Sequence, residues 1–254
     1  TQLTSMDLAV YRATLEQLCA EGDLAALETW AYAHYGDGNA AYEPDYAVAR
    51  DTRLKLMDNP EFSGERKGVY ANTLGYINYY GFADGTPNYD AAFQYFSIGL
   101  FSNGMYESAY KLADLYLAGK GTLKSVDAAF SLLVWDFDQC RHDFCEGGWA
   151  DTSNKFADVA LRLARFYRDG IVVEQDPQMA YTLLTQARYA IEMRLAAGTD
   201  AGDAKVAATI QEELKDLRAS EVFDCEPTEW LIDAEPTTIP KLFANESYVY
   251  VQSK

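Results

Sequence analysis

Apolar positions along the chain recur with the period of a helix rather than that of a strand. Three segments show it in one register: Ala71, Leu74, Gly75 and Asn78; Ala109, Leu112, Ala113 and Tyr116; Ala160, Leu163, Ala164 and Tyr167. Positions i, i+3, i+4 and i+7 lie on one face of an α-helix, so each segment predicts a helix buried along that stripe. The small residue at i+4 admits a neighbouring helix at close range. Each stripe ends three residues before Gly81, Gly119 or Gly170, where a helix can terminate in the left-handed conformation that glycine adopts without strain.

After each glycine a capping residue announces a second helix. Asn88 precedes Ala92 and Phe93, Ser125 precedes Ala129 and Phe130, and Asp176 with Pro177 precedes Ala180 and Tyr181. Asn, Ser and Asp accept hydrogen bonds from first-turn N–H groups, and proline at the first helical position sacrifices no bond. A degenerate fourth copy, Trp30 to Gly36, leads to Ala47 in the same register. Successive glycines are 45, 38 and 51 residues apart, so 38 is the plain unit and the longest copy carries an insertion, assigned to Cys140 through Asn154.

The pattern Ala-x-x-Leu-Gly-x-x-Tyr-x-x-Gly with a capped second helix resembles the Sel-one-like repeat family of the tetratricopeptide-like superfamily. The similarity covers residues 23 to 196 and is closest from Ala109 to Phe130. Asn78 stands for the usual Tyr, Ala91, Ala128 and Met179 stand where Lys precedes Ala, and the loop Gly-x-Gly-Val survives only as Gly119-Lys-Gly121-Thr. The resemblance implies an all-α, right-handed α/α solenoid of helix-turn-helix repeats. It also implies an adaptor or scaffold that binds a protein or peptide without cofactor or catalysis, as family members, often bacterial, do. The expected organisation is a capping helix over 1–22, the solenoid over 23–219 and an extension over 220–254. Three prolines and the alternating Ser247–Gln252 run give that extension an irregular, β-prone character.

Charge narrows the partner. The 254 residues hold 39 acidic against 21 basic side chains, for a net charge of -18. Such a field repels nucleic acid and anionic membrane faces and favours a basic or neutral protein. No apolar run approaches the ~18 residues of a membrane span. The N-terminus has neither the basic region nor the apolar core of a signal peptide. The cytoplasm is therefore the expected compartment, with export open if a signal has been removed.

Candidate chemistry is sparse. Asp136-Phe137-Asp138, after the apolar run Leu132–Trp135, resembles the first motif of haloacid-dehalogenase-like phosphatases, in which the two carboxylates share Mg²⁺. That chemistry needs a strand; on a helix, residues two apart point about 200° from each other. Gly119-Lys120-Gly121-Thr122 lacks the first glycine of a phosphate-binding loop, Asp114 standing in its place. Cys140, His142 and Cys145 fall one ligand short of a structural zinc site. Those two cysteines, with Cys19 and Cys225, stay open between thiols and a bridge. No catalytic or metal-binding residue is assigned, and the alternative of a different class is an immunity or inhibitor protein for a toxin.

Binding residues follow from the register. Off-stripe positions of the first helices should line a concave face: Asn72, Tyr76 and Tyr79; Tyr110, Asp114 and Leu117; Leu161, Arg165 and Arg168. Tyr and Arg are the types enriched in binding hot spots. Phe144 and Trp149, in the expected insertion, form a second candidate, long loops in regular arrays being functional or disordered. Phe82, Tyr89, Tyr95 and Phe96 are expected in the core between repeats.

Overall fold

The protein is described by a computed structural model over residues 5–36, 41–62, 64–102, 104–145, 155–198 and 202–220. Among these residues there are ten α-helices and no strand. They are α1 (Ser5–Glu21), α2 (Leu24–Tyr35), α3 (Tyr46–Asp58), α4 (Gly64–Tyr80) and α5 (Tyr89–Ser97), then α6 (Ala109–Ala118), α7 (Val126–Cys145), α8 (Phe156–Asp169), α9 (Pro177–Ala197) and α10 (Asp203–Ala219). A π-helical turn, Ile98–Ser102, prolongs α5. Consecutive helices pack as hairpins: α2 with α3, α4 with α5, α6 with α7, α8 with α9. The all-α class and the helix-turn-helix repeat read from the sequence are both present.

Every hairpin closes in the same way. The first helix ends on a glycine at positive φ, at Gly36, Gly81, Gly119 and Gly170. The N–H of the residue capping the second helix then donates to the carbonyl of the last stripe residue of the first. These bonds are Asp45 to His34 (2.8 Å), Asn88 to Asn78 (2.9 Å), Ser125 to Tyr116 (3.0 Å) and Asp176 to Tyr167 (2.9 Å). The capping side chains turn the other way, accepting from Val48, Ala91, Ala128 and Met179 N–H. One short segment thus satisfies an orphan carbonyl of one helix and an orphan donor of the next.

The small residue at i+4 has its expected use. A Cβ on Gly75 would lie 2.4 Å from the Phe96 ring, and Ala113 and Ala164 are fully buried in the equivalent places. Four residues after each cap sits an inaccessible alanine: Ala49, Ala92, Ala129 and Ala180. The fourth copy therefore aligns on Ala49 rather than Ala47, because the loop between Gly36 and Asp45 is longer than the others.

The helices divide into two compact units. Unit 1 is Thr1–Ser108 with Gly119–Leu123; its first hairpins enclose Ala31, Leu56, Phe62 and Tyr70. Arg53, 1% exposed, is held there by donation to the Ala31 carbonyl (2.8 Å) beneath the Tyr32 and Tyr35 rings. Unit 2 is Ala109–Ala118 with the chain from Lys124. One sequence expectation is corrected within it. Residues 140–145, placed in an insertion, continue α7, because the buried stripe Leu133, Phe137, Cys140, Phe144 keeps helical spacing to the end. Trp149 and residues 221–254 of the C-terminal extension lie outside the described residues.

Candidate interaction surface

The sequence-predicted binding residues take three different places. Tyr110 (3% exposed), Leu161 (5%) and Phe144 (2%) are buried in unit 2 and do not project to solvent. Phe144 stacks on Phe156 with centroids 5.3 Å apart. Asn72 accepts from the fully buried Ser108 hydroxyl at 2.6 Å, and Leu117 is half-buried. Asp114, Arg165 and Arg168 are committed to ion pairs inside unit 2. Only Tyr76 and Tyr79 come together at a surface, in unit 1.

The ion pairs of unit 2 form a ladder. Arg162 grips Asp114 with two bonds (2.7 and 2.6 Å) and lies over the Tyr110 ring. Asp158 accepts from Arg194 (2.7 Å), which also donates to Asp203. Burial works against the charge on Asp158, but Arg194, Arg162 and Lys155 hold its carboxyl below the ordinary range. Glu213 of α10 accepts from both Arg165 (2.6 Å) and Arg168 (2.9 Å) of α8. Burial brings Lys111 down to about 8, with Arg162 adding to the fall. These groups bind helix to helix.

The phosphatase alternative fails on geometry. Asp136 is wholly buried on α7, while Asp138, 45% exposed at its side chain, pairs with Arg141. The two cannot face one ion. Burial pushes the Asp136 carboxyl well above its usual range, against the Cys140 thiol that donates to it at 3.4 Å. Among the described residues no three His, Cys, Asp or Glu side chains converge as metal ligands. The Gly119–Gly121 pair is explained by packing, since a Cβ on Gly121 would meet the Tyr89 carbonyl oxygen at 2.2 Å.

In unit 1 the aromatic rings join into a row. Tyr76 and Tyr80, one turn apart on α4, lie nearly parallel (6.3 Å, 10°). Tyr79 meets Tyr80 edge-on at 5.0 Å and Tyr89 at 5.8 Å. Gly81 turns the chain so that Phe82 stacks on Tyr80 (5.1 Å) and on Tyr46 at the start of α3 (4.7 Å). Tyr46 in turn meets the edge of Tyr35 at 5.7 Å. Tyr80 and Phe82 remain 47% and 44% exposed. At the Tyr89 end, the Lys120 amine sits 4.5 Å from the ring centre, beside a cleft of 460 Å³ whose other charged residues are Asp84 and Asp90.

Sequence reasoning missed Tyr46, Tyr80 and Phe82, and placed Phe82 in the core. The run Tyr79-Tyr80-Gly81-Phe82 carried a signal: aromatic residues straddling a helix-ending glycine cannot all follow the stripe inward. Of the expected inter-repeat core, only Phe96 is fully buried; Tyr89 and Tyr95 are half-buried.

Comparison with known proteins finds a repeat-family profile and similar solved structures. The profile of the Sel1 repeat matches residues 71–99, 107–133 and 157–190. No curated protein matches the chain. Among solved structures, a protective antigen present in uropathogenic Escherichia coli strains and displaying an SLR fold is 17% identical, with a TM-score of 0.42. The match covers 97% of this chain and 60% of that one.

Proposed function

The chain carries three Sel1 repeats, and from that premise we propose that it is a protein-interaction scaffold whose partner docks on the aromatic row of unit 1. The exposed rings of Tyr80 and Phe82, flanked by Tyr46, Tyr76 and Tyr79, carry the reading. An exposed contiguous apolar patch on a folded chain marks an interaction site. Rigid aromatic side chains give large contact area for little lost rotamer freedom, which makes them anchors. Net charge of -18, with Asp84 and Asp90 beside the row, favours a partner with basic residues around an apolar centre.

The test is capture of partners by the full chain and by a Tyr80→Ala, Phe82→Ala variant, after thermal melts show that both fold. Loss of about tenfold in affinity for the captured protein supports the row, since anchors of this kind are worth at least ~1.4 kcal/mol. Leu123→Ala, removing a side chain 88% exposed in the same unit, serves as the control. Equal capture by all three chains overturns the assignment. A single basic partner held at nanomolar strength would identify an inhibitor or immunity protein; several weaker ones, an adaptor.

A further inference from the structure

A second cleft, in unit 2, has the opposite chemistry. Helices α9 and α10 enclose about 220 Å³ lined by Tyr181, Arg188, Gln211, Leu214, Lys215 and Arg218. Gln211, Leu214, Lys215 and Arg218 fall at i, i+3, i+4 and i+7 on α10, and Tyr181 and Arg188 are seven apart on α9. Two helix faces therefore meet along the cleft. Its three charged side chains are all cationic, in a chain where acids outnumber bases 39 to 21.

α10 sorts its charges by direction. Glu213 turns to α8 and is consumed by Arg165 and Arg168, whereas Lys215 and Arg218 turn to the cleft. Arg188 has a carboxylate one turn away, Glu192, at 3.8 Å from its Nε and half-exposed. Arg218 is aimed by donation to the Tyr181 hydroxyl at 2.8 Å, with its guanidinium over the same ring. Buried Leu214 and the Tyr181 ring make the floor apolar.

We propose that this cleft binds an acidic peptide segment of a partner protein, seating a Glu or Asp carboxylate among Arg188, Lys215 and Arg218. A guanidinium offers parallel N–H donors that match a carboxylate, and the apolar floor takes the side-chain stem. The open cleft of about 220 Å³ leaves room beside the cations for a side-chain stem. This rests on the chain being an interaction scaffold, but not on the aromatic row.

The experiment is fluorescence anisotropy of a labelled Glu-Ala repeat peptide with the full chain. The parent should bind it and ignore the Gln-Ala counterpart. Arg188→Glu with Lys215→Glu should weaken binding about tenfold or more. Lys205→Glu, elsewhere on α10, and Tyr80→Ala with Phe82→Ala should each leave it within about twofold. Equal weakening by Lys205→Glu overturns the proposal in favour of the diffuse field. Displacement by inorganic phosphate at equal concentration overturns it in favour of a simple anion pocket. Residues 221–235 hold six acids and no base. Should the peptide bind only after these are changed to amides, the occupant is this chain's own segment and the partner is excluded.

Discussion

A methyl group added at Gly75 would lie 2.4 Å from the Phe96 ring, which is itself fully buried. Neither can move without disturbing the α4–α5 hairpin, so Gly75→Ala is expected to destabilise by about 1–3 kcal/mol, read as a lower Tm. Asp136 predicts the reverse. Burial raises its carboxyl well above 3.8, its ordinary value. Between the two values the folded chain holds a proton that the unfolded chain has lost, so stability falls as pH rises through that window. Asp136→Asn keeps an acceptor for the Cys140 thiol and removes the titration. It should gain stability relative to the parent as pH rises through that window. The gain should vanish near about pH 3, where both states are protonated. Melting curves of parent and variant across pH decide it.

At the level of helices, the repeated closing bond and cap explain why so much was legible in advance. Glycine at positive φ, an Asn, Ser or Asp cap and a four-residue stripe are local features, and local features survive in sequence. Asp176→Ala, for instance, should cost ~1 kcal/mol by exposing the first-turn donor of Met179. What depends on packing between helices was not legible. Tyr110 and Leu161 lie off their stripes yet are buried, because Arg162 of α8 lies over the Tyr110 ring and α8 itself packs between α7 and α9. Phe144 was misplaced because Cys and His at 140–145 look like loop chemistry, whereas the Phe137, Cys140, Phe144 spacing is helical. The ladder was invisible for the same reason: Asp158 lies 36 residues before Arg194 and meets it, with Asp203, where α8, α9 and α10 join. Arg194→Met would remove the cation shared by two buried carboxylates and is expected to cost about 3–5 kcal/mol, measured by denaturant unfolding.

Across the whole chain, the excess of acids sets a cost separate from any single contact. A net charge of -18 repels itself in the compact state, and among the described residues most charges are solvated. Raising salt from about 10 to about 150 mM shortens the screening length from ~30 to ~8 Å, which weakens exposed repulsions before buried pairs. The parent Tm should therefore rise with salt over that range. The loss caused by Arg194→Met should stay nearly constant, because Arg194 is 3% exposed and its partners Asp158 and Asp203 are buried. Calorimetry of both chains at the two salt concentrations separates these contributions. A Tm that falls with added salt would mean that exposed pairs such as Arg50 with Asp84 outweigh the net repulsion. A difference between the two chains that shrinks with salt would mean that water reaches the ladder.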